Sequence, residues 1–575
     1  MKKFPQNLND WNEYPGMVHW FSPTVLLKTV KKVVTSTIFG QYADRRLVHA
    51  SLDLVEPEKV IEKCCGGVKG ICGEKNEQPI WVDYVADLGD GFDSTYAIAY
   101  LIGQKEIQVN NDIKLPRADC LIMGGDQVYP DASREDYKRR MERPYKFAYP
   151  KNNVKGSSPP VYLIPGNHDW YDGLTLFLAK FCGGDKNKNY LGNWATSQSR
   201  SYFAIHLAEN WWIWGFDSQL GEDIDKPQAD YFTSVAEKMA PNAKVILCAS
   251  VPSWLKADVA ADDEKDKDSY YRSLHYMANI LSEGCQGAKI PLVISGDLHH
   301  YSRYVAKESG TNFITAGGGA FLHPTHHLKD KIETRWSGSS KQTLEIGHDA
   351  EPKDTKKAFY PPQDKSRRLA LGNLWFVFKN YDFGYALGAL YLISALLMLA
   401  WMGYGESGGA GAFLSHVYNQ VINLCSTPIF VLLFFGLPLI LINAADIKVT
   451  NRKRVVAIIH ALAHLTLMVF GTALVSMMVV GLKSVPYFGE ILYFFVLSIG
   501  IVLLGFIGGA LWGLYLTVAS WFWGDEANNA FSAMRLDSYR HFIRLKIEGD
   551  KITVYPIGID QSPKREDWKF VMPQS

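Results

Sequence analysis

Charged residues are almost absent from one long part of this 575-residue chain, although its overall composition is ordinary. Between positions 383 and 524, only eight of 142 residues are Asp, Glu, Lys or Arg. Elsewhere about one residue in four is charged, which is the usual density of soluble domains. The contrast excludes a purely soluble protein, and the length excludes a single ordinary domain.

Three further features are missing. The formal net charge is only +1, which argues against a chain that binds nucleic acid and against an acidic disordered protein. The first residues lack the apolar run of a cleavable signal sequence. The eight cysteines show no regular spacing, so free thiols are expected instead of a disulfide framework.

The uncharged stretches are long enough for about four membrane-spanning helices, since one span needs roughly 20 apolar residues. We place spans near 384–403, 421–443, 456–480 and 491–516. Basic residues precede the first span, separate the second from the third, and follow the fourth. With four spans, all three basic regions lie on one side of the bilayer. Both termini and the soluble part are therefore predicted to be cytoplasmic.

The order of these patterns predicts five regions. They are an N-terminal region with a basic amphipathic helix from Ser22 to Ile38 (1–78), a soluble domain (79–328), a linker (329–382), a transmembrane domain (383–524) and a C-terminal segment (525–575). The amphipathic helix suits either the bilayer surface or a face of the soluble domain. Apolar alternation on both sides of Glu548–Asp550 predicts a β-hairpin that docks on the soluble domain.

Polar residues follow several short apolar runs of the soluble domain, where strands are predicted to end. The segments are Asp87-Leu-Gly-Asp90, Gly125-Asp126-Gln-Val-Tyr129, Gly166-Asn167-His168-Asp169 and Gly296-Asp297-Leu-His299-His300. Carboxylates, an amide and imidazoles at one edge of an α/β sheet are the ligands that two hard or borderline cations need. The neighbouring glycines allow sharp turns and the close approach of a phosphate.

In order and spacing, these motifs resemble the calcineurin-like metallophosphoesterase superfamily. The resemblance implies an α/β fold, a β-sandwich flanked by helices with a two-metal site on its loops, joined here to a four-helix transmembrane domain. Gly89 and Tyr129 give Asp-x-Gly and Gly-Asp-x-x-Tyr motifs that resemble the purple acid phosphatases, in which the tyrosine ligates ferric iron. Tyr129 is thus a candidate ligand, the alternative being a buried side chain beneath the loop.

The resemblance also assigns metal ligands. Site one would hold Asp87, Asp126, Tyr129 and His299, and site two would hold Asp126, Asn167 and Asp297. Ser250 and Asp297 stand where the family has histidine, so Ser250 is a weak ligand at best. Two divalent or mixed-valence ions are implied, and the missing imidazoles favour Fe, Mn or Mg over Zn.

The implied reaction is hydrolysis of a phosphate mono- or diester by attack of a metal-bridging hydroxide. His168, oriented by Asp169, is the candidate to protonate the leaving group or to stabilise its charge. His300 and His323 are candidate substrate contacts. The expected partners are the phosphate ester and the lipid bilayer, without nucleic acid, and the oligomeric state stays open.

Two other functions are compatible with the sequence. Because Ser250 and Asp297 replace histidines, the domain could be a binding or regulatory module that has lost hydrolysis. A transporter or channel with a regulatory soluble part is the other alternative, although the spans show no inverted repeat. The retained carboxylates, Asn167 and His168 favour the enzyme.

Overall fold

A computed structural model describes most of the soluble part and several long helices. The described residues are 13–28, 79–109, 112–151, 158–184, 188–208, 210–218, 223–259, 267–337, 341–347, 358–401, 450–482 and 485–563, with scattered positions between 417 and 447. The predicted span near 421–443 lies largely outside them. Of the predicted amphipathic helix, residues 23–28 are described and are helical.

The strands form two large sheets, and the second and third strands pair in a separate two-stranded sheet. The strands are β1 (Ile80–Val85), β2 (Glu106–Gln108), β3 (Lys114–Pro116), β4 (Cys120–Met123), β5 (Pro160–Leu163), β6 (Tyr190–Leu191), β7 (Trp194–Thr196), β8 (Phe203–Ala208), β9 (Trp211–Phe216), β10 (Lys244–Ala249), β11 (Lys289–Ser295), β12 (Tyr301–Ala306), β13 (Asn312–Ala316), β14 (Lys331–Thr334), β15 (Gln342–Ile346), β16 (Phe359–Tyr360), β17 (Ser538–Glu548) and β18 (Lys551–Gln561). The first sheet has the order β18-β17-β1-β4-β5-β7-β6. The second has the order β14-β15-β12-β13-β11-β10-β9-β8, with β16 paired to β12.

Helices connect and flank the sheets. The α-helices are α1 (Phe92–Gly103), α2 (Arg134–Asp136), α3 (Arg143–Ala148), α4 (Asn167–Trp170), α5 (Thr175–Phe181), α6 (Lys226–Lys238), α7 (Ser253–Val259), α8 (Arg272–Gly284), α9 (Gln363–Leu369), α10 (Phe376–Lys379), α11 (Tyr381–Trp401), α12 (Thr450–Thr466), α13 (Thr472–Leu482), α14 (Gly489–Val518) and α15 (Ala527–Met534). Turns of π-helix (Tyr137–Glu142, Leu467–Gly471, Ala519–Trp523) and 3₁₀-helix (Lys267–Tyr271, Ala370–Trp375) adjoin several of them.

The two sheets pack face to face, which confirms the predicted β-sandwich. Apolar side chains from both sheets fill the space between them, among them Val82, Ile122, Ile246 and Ile294. Helices α1, α3 and α5 cover the outer face of the first sheet, and α6 and α8 cover that of the second. Central strands buried on both faces are largely apolar, so most of their polar residues appear where the strands end, with Asp83 inside β1 as an exception.

The C-terminal β17 and β18 form the predicted hairpin, which extends the first sheet because β17 pairs antiparallel with β1. Arg544 of β17 and Asp83 of β1, both fully buried, are joined by two hydrogen bonds of 2.7 Å. Burial raises the pKa of Asp83, and the Arg544 guanidinium opposes that effect. Loss of one partner from such a pair costs about 3–5 kcal/mol, so the pair holds the hairpin on the sheet.

Two helices among the described residues are long and apolar enough to cross a membrane, Asn451–Val480 and Gly489–Trp523. They correspond to the third and fourth predicted spans. Helix α11 covers the first predicted span, but its apolar part, Tyr381–Leu397, is shorter. The described residues therefore support membrane association through two helices and do not establish the predicted four-helix domain.

One end of these two helices contacts the soluble domain. Arg452, at the start of α12, lies with its Nη2 2.6 Å from Asp525 Oδ2, just beyond the end of α14. The His326 Nε2–H donates to the Ser520 carbonyl at 2.8 Å. The basic start of α12 and the loop that contains His326 therefore lie at the same end of the helices.

Candidate active site

Loops that follow β1, β4 and β11 bring four of the predicted ligands to one edge of the sandwich. Asp87, Asp126, Asp297 and His299 all have a left-handed backbone, with φ of 56°, 51°, 72° and 40°. Such a conformation costs roughly 1–3 kcal/mol for a residue other than glycine and clusters at functional sites. The sharp turns direct the side chains of separate loops toward one another.

Two glycines allow these loops to approach closely. A Cβ atom at Gly166 would overlap the Asp126 carboxylate, and one at Gly317 would overlap the Asp87 carboxylate. Backbone therefore packs directly against both carboxylates. Any larger residue at either position would push a predicted ligand out of place.

The residues of predicted site one meet at the Tyr129 hydroxyl. Its oxygen lies 2.9 Å from His299 Nε2, 3.1 Å from Asp126 Oδ2 and 3.4 Å from Asp87 Oδ1. The His299 Nδ1 lies 2.7 Å from the Phe321 carbonyl. Because a carbonyl only accepts, Nδ1 carries the proton, and the lone pair of Nε2 faces the carboxylates.

Burial and mutual repulsion disfavour the ionised carboxylates at this point. Burial and the charges of Asp126 and Asp297 raise the pKa of Asp87 well above its usual range. Burial and the Asp297 charge raise the pKa of Asp126 to about 7, against a smaller opposing effect of Lys256. A bound cation would offset the repulsion, so the electrostatics of the cluster favour cation binding.

Site one has the donor chemistry that one metal ion requires. Within the described residues, no group of three or more His, Cys, Asp or Glu side chains is by itself arranged to hold a metal ion. Asp87, Asp126 and His299 nevertheless surround a phenol oxygen, which is a potential fourth ligand. These four residues would hold the ion.

Predicted site two does not fit a metal ion in the same way. Asp297 Oδ2 lies 3.1 Å from the Lys256 ammonium nitrogen. The Ser250 hydroxyl is buried with no hydrogen-bond partner in the described part of the chain. The Asn167 amide nitrogen donates to the Tyr171 hydroxyl at 3.1 Å. An ammonium has no lone pair, so Lys256 competes with a metal ion for Asp297.

His168 lies beside site one as a neutral imidazole. Its backbone N–H donates to Asp126 Oδ1 at 2.9 Å, and its Nδ1–H donates to the Pro130 carbonyl at 2.7 Å. Burial lowers the pKa of His168 to about 4. In this tautomer Nε2 is the ring nitrogen left for the substrate, and the predicted role of His168 in protonating the leaving group or stabilising its charge stays a prediction.

Asp169 does not orient His168. Its carboxylate accepts hydrogen bonds from the Gly166 N–H at 2.9 Å, the Gln127 N–H at 3.2 Å and the Tyr137 hydroxyl at 2.5 Å. Both residues lie in α4, where successive side chains point about 100° apart. The structure assigns Asp169 to holding the loop and not to the predicted catalytic role.

The two histidines predicted to contact substrate are placed differently. The His323 ring is partly exposed, and its centroid lies 4.4 Å from that of His299, so it borders the site. The His300 ring is buried near His323 and His541, and burial lowers its pKa well below the usual range. His300 is therefore shielded from a substrate that approaches from solvent.

Two residues at the site were missed by the sequence analysis, Trp20 and Lys256. The Trp20 ring lies 5.4–6.0 Å, between centroids, from the rings of Tyr129, His168 and Phe321. Its indole N–H is buried with no hydrogen-bond partner among the described residues. No local pattern in the sequence marks Trp20 as a site residue. Lys256 does have a signal, because it closely follows Ser250, which stands where the resembled family has histidine.

Residues 80–301 match the family model described as calcineurin-like phosphoesterase. A comparison with curated proteins gave no match. The matched segment contains strands β1 to β11 and the loops that carry the residues around Tyr129. The match supports placing this segment in the calcineurin-like phosphoesterase superfamily, whose general reaction is hydrolysis of phosphoric esters.

Proposed function

We propose that the chain is a membrane-anchored, metal-dependent phosphoesterase that acts on a phosphate mono- or diester. One observation carries the proposal: Asp87, Asp126 and His299 converge on the Tyr129 hydroxyl, next to His168. The superfamily match supports ester hydrolysis in general. Metal dependence and membrane anchoring are the specific additions of the proposal.

The chain's residues divide the work of the reaction. A metal ion held at site one would polarise the phosphoryl group and make water more acidic. The His168 N–H and the Tyr129 hydroxyl hold the Asp126 carboxylate in place. His168 Nε2 can accept a proton. A positioned general acid or base typically raises the rate of a reaction by about 10²–10⁴-fold.

Membrane anchoring would rest on the two long apolar helices. The contacts of Arg452 with Asp525 and of His326 with the Ser520 carbonyl support a common side for the basic start of α12 and the soluble domain. By the excess of basic residues on that side, we propose that the domain and both termini are cytoplasmic. Protease protection in sealed inverted vesicles tests this orientation, because a cytoplasmic domain would be digested without detergent.

The central experiment measures hydrolysis by the purified full-length protein in detergent, with Mn²⁺, Mg²⁺, Fe²⁺ or Zn²⁺ and nitrophenyl mono- and diester substrates. We expect Asp126→Asn to lower kcat/KM by more than about 100-fold, because it alters a direct metal ligand. Mutation of a residue that only hydrogen-bonds to a ligand already lowers metal affinity or activity by about 10–100-fold. Asp230→Asn is the matched control, since this exposed carboxylate pairs with Lys226 on the surface. Equal activity of wild type and Asp126→Asn would refute the assignment.

A binding or regulatory module is the second candidate function. The ion pair of Lys256 with Asp297, and Ser250 in place of histidine, favour it, because both weaken a two-metal site. This candidate predicts that the wild-type protein binds inorganic phosphate or a phosphate ester without turnover under every metal condition. Metal-dependent turnover that is lost in Asp126→Asn would exclude it.

A further inference from the structure

A lysine side chain reaches the half of the site where the second metal ion was expected. Lys256 lies on α7, and its Nζ is 3.1 Å from Asp297 Oδ2. The lysine side chain is 32% exposed and the aspartate side chain 16%, so the pair is largely shielded from solvent. Such shielding strengthens the attraction relative to a pair on the open surface.

The ligands that a second ion would need are missing around this pair. Ser250 and Asp297 both stand where the resembled family has histidine. The Ser250 hydroxyl is buried with no hydrogen-bond partner in the described residues, and a neutral hydroxyl is a weaker metal ligand than the imidazole that the resembled family has there. A protonated lysine has three donors and no lone pair, and it therefore replaces a metal ion without ligating one.

Formal charge gives an independent argument for one metal ion. Asp87, Asp126 and Asp297 bring three carboxylates to the cluster, which one bound cation would keep ionised, and Lys256 brings one positive charge. A second divalent cation at Asp297 would lie beside the Lys256 ammonium. Two like charges this close repel each other strongly in a site of low exposure.

We propose that this chain holds one metal ion, at Asp87, Asp126, Tyr129 and His299, and that the Lys256 ammonium takes the place of the second. The inference rests on the proposed phosphoesterase function. A lysine at this position is a compact positive charge suited to a phosphate oxygen of the substrate. Lys256 is thus assigned to substrate binding.

Metal stoichiometry tests the inference without reference to activity. The full-length protein is equilibrated with excess Mn²⁺, passed through a desalting column, and analysed by mass spectrometry for manganese per chain. We expect one ion in the wild type and in Lys256→Arg, and a gain toward two in Lys256→Met, where Asp297 is released. Lys341→Met is the matched control, because this exposed lysine pairs with Glu333 on the surface.

Substrate binding supplies a second measurement. With nitrophenyl phosphate, Lys256→Met is expected to raise KM and lower kcat/KM by about 10–100-fold, the value of one hydrogen bond to a charged group. Lys256→Arg keeps the charge and should recover part of this loss. Lys341→Met should match the wild type in both parameters.

The outcomes separate this inference from the proposed function. Two tightly held ions per wild-type chain, or none, would overturn the inference, and so would a Lys256→Met protein that folds normally and still holds one. If that variant unfolds, judged by its thermal unfolding midpoint, the wild-type stoichiometry decides. One ion without any ester hydrolysis would refute the phosphoesterase proposal and leave the single-metal site in place. Ester hydrolysis by a protein that holds two ions would support the phosphoesterase proposal and refute the single-metal site.

Discussion

The half of the site around Tyr129 and the half around Asp297 lie on the same sheet edge but are completed in different ways. Around Tyr129, two carboxylates and the His299 imidazole meet at one oxygen, and the Phe321 carbonyl orients the imidazole. Around Asp297, the complementary charge comes from a lysine on α7.

The difference shows which parts of a metal site depend on local chain geometry. Asp87 is anchored by the Asp297 N–H, at 2.9 Å and 3.0 Å, so the two strand-end loops brace each other. Lys256 instead reaches the site because α7 packs beside the loop after β11. One half is built by strand-end loops, and the other is completed by a lysine on α7, the helix that follows β10.

The largest expected effect separates the two halves directly. His299→Ala should lower metal affinity and kcat/KM by more than about 100-fold, because it removes a direct ligand and not an outer partner. Ser250→Ala should leave both nearly unchanged, since its hydroxyl has no hydrogen-bond partner in the described residues. Metal analysis and steady-state kinetics on both variants measure this, and similar losses in the two would contradict the comparison.

A smaller effect is expected from the hydroxyl at the centre of the first half. Tyr129→Phe keeps the ring that packs against Trp20 and His168 but removes the oxygen between the carboxylates and His299. Loss of one hydrogen bond to a charged group, about 1.5–3 kcal/mol, should weaken metal binding about tenfold or more. Titration with Mn²⁺ measures it, and Tyr137→Phe is the control because that hydroxyl binds Asp169. Equal metal affinity in both variants would argue against Tyr129 as a ligand.

The smallest catalytic effect is expected at Asp169, although it adjoins His168 in sequence. Asp169→Asn alters the acceptor for two backbone N–H groups and the Tyr137 hydroxyl, so the free energy of unfolding should fall by about 1–3 kcal/mol. Metal content should be retained. Denaturant unfolding and metal analysis measure the two quantities, with His168→Ala expected to show the opposite pattern of lower turnover at nearly constant stability. A loss of turnover in Asp169→Asn as large as in His168→Ala would restore a catalytic role for the aspartate.

Much of the fold was predictable because its signals are local. Continuous apolar runs indicated the buried strands, and alternation around Glu548–Asp550 indicated the C-terminal hairpin. The predicted docking of this hairpin on the soluble domain is seen in the pairing of β17 with β1. The partner of that hairpin was not predictable, because Asp83 and Arg544 lie at opposite ends of the soluble part of the sequence.

The candidate site was predictable as a set of residue types but not as a set of contacts. Adjacency suggested that Asp169 orients His168, yet the helical turn of α4 directs the two side chains apart. Adjacency also grouped His300 with His299, but both lie in the loop before β12, where His299 has a left-handed backbone and the His300 ring is buried. Trp20 reaches the site from an N-terminal segment that shares no motif with it.

The sequence by itself determined the strand-end carboxylates, the imidazoles and the apolar helices, because each is written in a short stretch whose chemistry does not depend on distant residues. Tertiary structure alone decided that Lys256 meets Asp297 and that Trp20 lies against Tyr129 and His168. The physical reason is that charges and rings act over a few ångströms of space. Only the packing of α7 and the N-terminal segment on the sandwich brings them within that range.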